Sequence, residues 1–241
     1  HLDHFAYAKE GTSTYSFGLV QFDVGGNPQA RRFLRDNGFP HGPFAAIRSE
    51  EDIQVASPSL FPAILKVARF GYDGKGQQTV KQLSSILDHW NELGNVPCVV
   101  EQKVALDAEF SVIISRSEQG QIALFAPTQN VHLNGVLDVS TAPSQLDSQM
   151  LDQGKSAATK IAEKLDYVGV LAVEFFVSNN RLFVNEIAPR PHNSGHWTLD
   201  AARTSQFEQQ VRALVGEPLG DPSMTCSAVA MVNLLGDRWA N

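Results

Sequence analysis

Residues 173–187 read VEFFVSNNRLFVNEI, and this stretch decides the fold. Two apolar runs rich in β-branched and aromatic residues flank the polar segment 178–181, which predicts an antiparallel hairpin over 170–184. If the hairpin turns through a three-residue loop centred on Asn180, Glu174 lies directly opposite Glu186 on the same face. The sequence therefore predicts two carboxylates that meet across neighbouring strands.

The paired glutamates call for a cation between them. Like charges placed opposite each other destabilise a sheet, and burial among apolar residues raises that cost. Mg²⁺ suits the pair, because it binds hard oxygen ligands, commonly one or two carboxylates together with nucleotide phosphates. We therefore predict Glu174 and Glu186 as Mg²⁺ ligands, with Asn185 able to add an oxygen. The alternative is a two-residue turn, which would change the register and point one glutamate to solvent.

A glycine-rich loop lies upstream of the hairpin. An apolar strand over 61–67 leads directly into Gly71, Tyr72, Asp73, Gly74, Lys75, Gly76 and Gln77. Such a loop can bring backbone N–H groups close to phosphate oxygens, although its spacing is neither that of a P-loop nor that of a Rossmann turn. A flexible turn between two strands is the plain alternative. Lys66 favours the phosphate site, because a lysine inside an apolar strand costs desolvation energy unless it meets an anion.

Directly after Glu186, residues 187–197 read IAPRPHNSGHW. The prolines fix the backbone, while the polar side chains can converge on a small anion or polar substrate. We interpret this segment as a substrate loop in which Arg190 and His192 carry the main contacts. His196 is better explained as a structural histidine. No set of His and Cys residues has the spacing of a zinc site.

Composition limits the classes of function. The chain has 241 residues, 43% of them hydrophobic, which is enough for one large domain or two smaller ones. A net charge of −7 argues against a broad nucleic-acid surface. No apolar run reaches the roughly 20 residues of a membrane span, and no signal peptide is evident. Cys98 and Cys226 are interpreted as buried thiols, so we expect a cytoplasmic protein that does not span a membrane.

The order of elements predicts an α+β fold with mostly antiparallel sheets. Pro28 opens a first helix that stops at Asn37-Gly38, and Ser49 caps a second. A boundary near residue 105 separates a smaller lobe, 28–104, from a larger one, 105–241, and residues 1–27 stay unassigned. Further helices are expected at 82–93, 145–165 and 199–215, and further strands at 44–47, 96–104, 110–115, 122–125 and 228–234.

Together with Glu101-Gln102-Lys103-Val104, these motifs resemble the ATP-grasp family, and within it the 5-(carboxyamino)imidazole ribonucleotide synthases, from about Arg31 onward. The resemblance implies two α+β lobes that grip ATP. It also implies an ATP-dependent ligase of purine biosynthesis that carboxylates 5-aminoimidazole ribonucleotide with bicarbonate. Carboxyphosphate is then the intermediate, and 5-(carboxyamino)imidazole ribonucleotide, ADP and phosphate are the products.

The resemblance also implies a role for each matched residue. Lys66 and the glycine-rich loop hold phosphates, while nucleotide contacts fall to Glu101, Gln102, Lys103, Val104, Glu109, His132, Asn185 and Glu186. Within that set, Glu101, Lys103 and Val104 meet adenine, and Glu109 meets ribose. Mg²⁺ is held by Glu174 and Glu186. Catalytic positions around bicarbonate and the ribonucleotide are Tyr72, Asp73, Lys75, Arg190 and His192, with Asn193 and Ser194 as further substrate contacts.

The family's enzymes normally begin with a Rossmann-like domain and carry a further C-terminal part, and neither is recognised in these 241 residues. We therefore expect nucleotide binding more firmly than turnover. Two other functions stay open: a non-catalytic nucleotide-binding fragment, and an ATP-grasp ligase that acts on another carboxylate such as formate. A homodimer is compatible with the resemblance.

Overall fold

The first sheet carries the early part of the chain. The structure is a computed structural model, and it describes residues 28–68, 76–133 and 135–234. After helix α1 (Pro28–Asp36), four strands form an antiparallel sheet: β1 (Phe44–Ile47), β2 (Ala63–Val67), β3 (Gln77–Val80) and β4 (Cys98–Gln102). Their order is β1-β4-β2-β3. Helices α2 (Glu50–Gln54) and α3 (Ile86–Glu92) cover the apolar face, and Ser49 caps α2 as predicted.

The second sheet has seven strands, all paired antiparallel: β5 (Ala108–Arg116), β6 (Ile122–Leu124), β7 (Thr128–Leu133), β8 (Val136–Ala142), β9 (Gly169–Ser178), β10 (Arg181–Ala188) and β11 (Val229–Val232). The order is β10-β9-β5-β7-β8-β11, with β6 paired to β5. Three helices accompany this sheet: α4 (Ser148–Lys164), α5 (Thr198–Ala201) and α6 (Gln206–Val215). The predicted α+β class with mostly antiparallel sheets is confirmed.

The largest core lies between one face of the second sheet and helices α1 and α4. Alternate residues of β5 and β9 point into it, as a two-residue period requires. Phe110 and Phe175 stack there with ring centroids 5.1 Å apart. Gly154 lets α4 approach closely, because a Cβ at that position would lie 2.6 Å from the Phe110 ring. Helix α1 thus packs on the second sheet, although it precedes the first sheet in the chain.

The opposite face of the second sheet is divided between apolar and polar side chains. At one end Ile113 and Ala172 pack under Trp197 and Ala201, which closes a smaller core. The other end of the same face carries polar residues from four strands, namely Glu109, Ser111, Asn130, Ser140 and Glu174. Three of them are joined by buried hydrogen bonds, since Asn130 donates to Ser111 and accepts from Ser140. The candidate site begins at this polar end.

Several predicted elements have different bounds or are broken. The single helix expected at 199–215 is wrong: α5 and α6 are separate, because the N–H groups of Arg203 and Thr204 donate to Ser223 and Asp221 instead of continuing a helix. Ser205 then caps α6. The segment expected as one helix at 82–93 starts as a 3₁₀ turn, Leu83–Ser85, before α3. Strands β7 and β8 went unpredicted, because polar residues interrupt their apolar pattern.

The two cysteines have different surroundings. Cys98 is buried in the first sheet, and burial raises the pKa of its thiol to about 11. Cys226 is exposed, so the expectation of two buried thiols is wrong for it. Its apolar neighbours in sequence start β11, whereas Cys226 itself lies in the irregular segment before that strand. Within the described ranges, no helix is both long and apolar enough to cross a bilayer.

Candidate active site

The hairpin of β9 and β10 places two glutamates side by side. Its turn has two residues, Asn179 and Asn180, both in the left-handed region with φ of 49° and 56°. Asparagine tolerates this conformation, which two-residue hairpin turns require. Ser178 therefore pairs with Arg181, and the predicted three-residue loop centred on Asn180 is wrong.

A β-bulge at Asn185 restores the predicted pairing. Val184 pairs with Phe175, but the register then shifts by one residue, so that Glu186 pairs with Glu174. A bulge inserts one extra residue into one strand and so changes which side chains share a face. The two glutamates lie opposite each other because the short turn and the bulge compensate. Glu174 is buried and Glu186 half-buried.

Glu174 lies among polar residues besides Glu186. The Asn185 side-chain N–H donates to Glu174 Oε2 at 3.3 Å, and His192 Nε2 lies 3.7 Å from Glu174 Oε1. Ser111 on β5 pairs with Glu174 from the other side. In the part of the chain that the structure describes, no group of three or more His, Cys, Asp or Glu side chains could hold a metal. Cation binding here would depend on the two glutamates, a donor set that fits Mg²⁺ completed by phosphate and water.

His192 is held in a defined orientation. Its Nδ1 accepts from the Ser194 backbone N–H at 3.3 Å and lies 2.9 Å from Ser194 Oγ. A neutral imidazole that accepts at Nδ1 carries its proton on Nε2, the atom that faces Glu174. Burial, and next the charge of Arg190, lower the pKa of His192 to about 3. His192 is therefore a neutral imidazole whose Nε2–H faces Glu174 from beyond hydrogen-bond distance.

The segment after β10 is fixed by residues that the sequence did not single out. The Gln206 side chain donates to the His192 carbonyl at 2.7 Å and accepts from the His192 N–H at 2.9 Å. Trp197 Nε1 donates to Thr128 Oγ1 at 3.0 Å, which ties the segment to β7. Gln206 carried no signal in the sequence, because the helix predicted over 199–215 placed it in the helix interior.

The other predicted substrate residues surround His192. Arg190 is half-buried and donates to the Pro191 carbonyl at 3.0 Å through one of its five N–H groups. Asn193 has a buried side-chain oxygen for which the described residues provide no hydrogen-bond donor. His196 is exposed and packs against Phe207 with ring centroids 5.7 Å apart, which agrees with a structural role.

Lys66 and Glu101 meet on the face of the first sheet opposite its core. Lys66 on β2 places Nζ 3.1 Å from Glu101 Oε2, and the other Glu101 oxygen contacts Nε of Arg31. All three side chains are largely buried. Arg31 was missed as a site residue, although an arginine among the apolar positions Ala30, Phe33 and Leu34 of α1 is itself a signal.

The segment after β4 borders a cavity of about 360 Å³ between the two sheets. The N–H groups of Gln102 and Lys103 donate to the carbonyls of Pro43 and Pro62 at 3.0 and 2.8 Å, so the segment is held extended. The remaining walls come from His41 and the β9–β10 hairpin, including Phe183. The cavity is lined by His41, Pro43, Gln102, Lys103, Val104, Ala105, Ser178, Asn179, Arg181 and Phe183.

Glu109 and His132 form a pair on β5 and β7. His132 Nδ1 lies 2.6 Å from Glu109 Oε2. Burial by itself lowers the pKa of His132, but the hydrogen bond and charge of Glu109, with the charge of Glu174, raise it above its ordinary value. The two residues that the resemblance assigns to nucleotide contacts are thus adjacent.

Most of the glycine-rich loop lies outside the described residues, namely Gly71, Tyr72, Asp73, Gly74 and Lys75. Its end is described. Gly76 has a φ of 74° and its carbonyl accepts from the Val67 N–H at 2.9 Å, while Gln77 pairs with Lys66. The loop therefore leaves and rejoins the first sheet beside Lys66.

Comparisons with known proteins identify the family of this chain. The family model described as the ATP-grasp domain matches residues 32–207. The N5-carboxyaminoimidazole ribonucleotide synthase of Bacillus subtilis is 39% identical over 210 residues, which cover 86% of this chain and 55% of that protein. The chain thus spans about half the length of the curated relatives it matches.

Solved structures show the same similarity. The N5-carboxyaminoimidazole synthetase of Staphylococcus aureus, complexed with ADP, superposes with a TM-score of 0.81 at 33% identity, covering 91% of this chain and 58% of that one. The N5-carboxyaminoimidazole ribonucleotide synthetase of Thermus thermophilus gives a TM-score of 0.78 at 36% identity, covering 88% and 58%. The family model matches most of this chain, from residue 32 to residue 207, and the chain superposes on these solved relatives. This chain therefore belongs to the ATP-grasp family.

Proposed function

We propose that this chain carries the ATP and Mg²⁺ site of a ligase that joins bicarbonate to 5-aminoimidazole ribonucleotide. The observation that carries this function is the pairing of Glu186 with Glu174 on a buried face, beside His192. Relatives named N5-carboxyaminoimidazole ribonucleotide synthase, at 39% to 40% identity, supply the substrate class.

The nucleotide would lie between the two sheets. Lys66 and the glycine-rich loop would hold the phosphates, since the loop joins the first sheet on either side of that lysine. Lys103 and Val104 line the cavity where adenine would fit. Glu109 and His132 would meet the ribose end. Glu101, paired with both Lys66 and Arg31, would orient the lysine; its direct contact with adenine remains a prediction from the resemblance.

The two glutamates fit Mg²⁺ because they lie opposite each other on a buried part of the sheet and offer hard oxygen ligands. Asn185 donates to Glu174, His192 lies nearby, and a divalent cation would relieve the repulsion between Glu174 and Glu186. When bound, Mg²⁺ offsets phosphate charge and stabilises the transferring group. Asn185 holds Glu174 through its side-chain N–H and would thereby orient that ligand.

The segment 189–196 would receive the second substrate. In the first step a bicarbonate oxygen forms a bond to the γ-phosphorus and ADP leaves; in the second the ribonucleotide amine attacks the carboxyl carbon, phosphate leaves and the amine loses a proton. Arg190 has N–H groups beyond the one bonded to Pro191 that would donate to these anions, and the buried Asn193 oxygen is suited to accept from an amine. A pKa near 3 makes His192 a donor that orients groups, not the base.

The test measures ADP formation by the purified chain. Activity should require Mg²⁺ and rise when bicarbonate and 5-aminoimidazole ribonucleotide are both present, with formate as the comparison substrate. Glu186→Gln should abolish it, because the variant retains shape but loses a charged ligand. Glu163→Gln is the matched control, since Glu163 is exposed on α4. ADP formation indifferent to the ribonucleotide would reject the substrate assignment.

A second function has a specific observation in its favour. The chain covers 55% of the Bacillus subtilis relative, so the rest of that relative has no counterpart among the matched residues. A non-catalytic nucleotide-binding module would gain thermal stability from ATP with Mg²⁺ without releasing ADP. Measuring melting temperature and ADP in the same samples separates the two functions.

The division into lobes, the cellular location and the oligomeric state are proposed as follows. Segments 28–104 and 105–241 would act as the two lobes, with α1 joining the second sheet. The cytoplasmic location and the homodimer remain predictions from the sequence.

A further inference from the structure

Arg31 on α1 contacts three residues that lie far from that helix in the chain. Its side chain is 3% exposed, and arginine is seldom buried to this degree unless it is paired. Nη1 donates to the Val184 carbonyl at 2.9 Å and Nη2 donates to the Asn185 carbonyl at 3.1 Å. Nε contacts Glu101. One guanidinium on α1 therefore joins β10 of the second sheet to β4 of the first.

The two carbonyls that Arg31 binds are consecutive. In a regular strand, successive carbonyls point to opposite edges, so one side chain does not reach both. The bulge at Asn185 interrupts that alternation. A planar guanidinium with parallel N–H groups is suited to two adjacent acceptors, which an ammonium group on a flexible stem matches less well. Arg31 thus recognises the bulge itself.

The bulge decides where Glu186 points. Ser178 pairs with Arg181 and Val184 with Phe175, so an unbroken ladder would continue by pairing Asn185 with Glu174 and Glu186 with Val173. Val173 faces the apolar core between the sheet and α4. Without the shift, Glu186 would therefore lose its place beside Glu174, because a slip of one residue exchanges the two faces of a strand.

We propose that Arg31 is a positioning residue of the nucleotide and metal site: it holds the bulge that sets Glu186 opposite Glu174, and it fixes Glu101 against Lys66. The part that concerns Mg²⁺ and ATP rests on the proposed function. The carboxylate of Glu101 is shared between Arg31 and Lys66, with one oxygen facing each. Arg31 thereby links the lysine of the first sheet to the acidic pair of the second.

The test compares wild type, Arg31→Met, Arg31→Lys and Arg35→Met. Arg35 is the matched control, because it lies on the same helix, is exposed and, among the described residues, forms its ion pair with the adjacent Asp36. Calorimetric titration with a non-hydrolysable ATP analogue, at a series of Mg²⁺ concentrations, gives the Mg²⁺ half-saturation for each variant. Loss of a group that orients a metal ligand typically weakens metal binding by about 10–100-fold. We expect a rise of that size for Arg31→Met, a smaller rise for Arg31→Lys and none for Arg35→Met.

A second measurement does not depend on any ligand. Hydrogen exchange of the unliganded protein should be faster over 182–188 in Arg31→Met and unchanged there in Arg35→Met. A buried arginine with only a structural role would lower the melting temperature while leaving Mg²⁺ half-saturation at the wild-type value, and that result overturns the inference. If Arg31→Met does not fold, Arg31→Lys decides by the same two measurements. Failure of wild type to bind the analogue with Mg²⁺ would instead reject the proposed function, and unchanged exchange over 182–188 would then reject the inference separately.

Discussion

Replacing Gln206 by leucine should destabilise the protein substantially, although Gln206 touches neither sheet's main core. The side chain is fully buried and forms two hydrogen bonds with the backbone of His192, as donor at 2.7 Å and as acceptor at 2.9 Å. Leucine has nearly the same volume but offers neither group. The N–H of His192, a buried residue, would lose its partner, whereas the His192 carbonyl would keep its bond from the Gly195 N–H at 3.0 Å.

The size of the effect follows mainly from that N–H group. A buried polar group left without a partner costs about 1–3 kcal/mol. Leucine also removes the desolvation cost of the amide, which favours the lower half of that range. Urea unfolding at equilibrium measures the free energy directly, and the m-value should stay constant. Gln153→Leu, at an exposed position of α4, should change stability by less than about 0.5 kcal/mol.

The same variant also tests whether Gln206 positions the substrate segment or only stabilises the fold. Because Gln206 fixes the backbone between Arg190 and Asn193, the loss should also weaken binding of the ribonucleotide more than binding of the ATP analogue. A loss of stability below about 1 kcal/mol for Gln206→Leu would refute the reasoning, since it would mean that the His192 N–H does not depend on the glutamine.

Three further predictions concern residues outside the site. Gly154→Ala should lower the melting temperature, because overpacking against the Phe110 ring, 2.6 Å from the new Cβ, costs about 1–3 kcal/mol and the helix-propensity gain of about 1 kcal/mol offsets it only in part. Cys98 should make stability fall as pH rises from about 9 to 11, because its pKa is raised in the folded state and only the unfolded thiol ionises in that window; Cys98→Ala should remove this fall in urea titrations across the range. A thiol reagent at pH 8 should modify Cys226 rapidly and Cys98 only on unfolding, and equal rates would contradict the burial of Cys98.

Much of the fold was predictable from local patterns in the sequence. The hairpin, α1, α4 and the strand leading to the glycine-rich loop all carry strong periodicity and clear end signals, such as Pro28 and the pair Asn37-Gly38. Failures fell where tertiary contacts override the pattern. Strands β7 and β8 carry buried polar residues that hydrogen-bond across the sheet, so their apolar alternation is hidden. The break between α5 and α6 depends on carbonyls near residue 222, which no local window includes.

The site residues missed by sequence have a common feature: they act through the backbone of the residues that were found. Arg31 binds two carbonyls in β10, and Gln206 binds the N–H and carbonyl of His192. A motif records the side chains that could meet a ligand, but it does not record which main-chain groups must be held for those side chains to point correctly. Partners 14 and 153 residues away are therefore invisible to motif reading.

The acidic pair shows how a correct juxtaposition can be reached from an incorrect register. A three-residue loop with a regular ladder and a two-residue turn with one bulge both place Glu186 opposite Glu174, because each adds one residue to the same side of the hairpin. They differ in where that residue lies. In the loop it would be at the exposed tip, whereas at Asn185 it lies beside the glutamates and turns two carbonyls toward Arg31. The extra residue thus lies where the buried guanidinium of Arg31 can bind its backbone, which explains why an arginine of α1 belongs to the site.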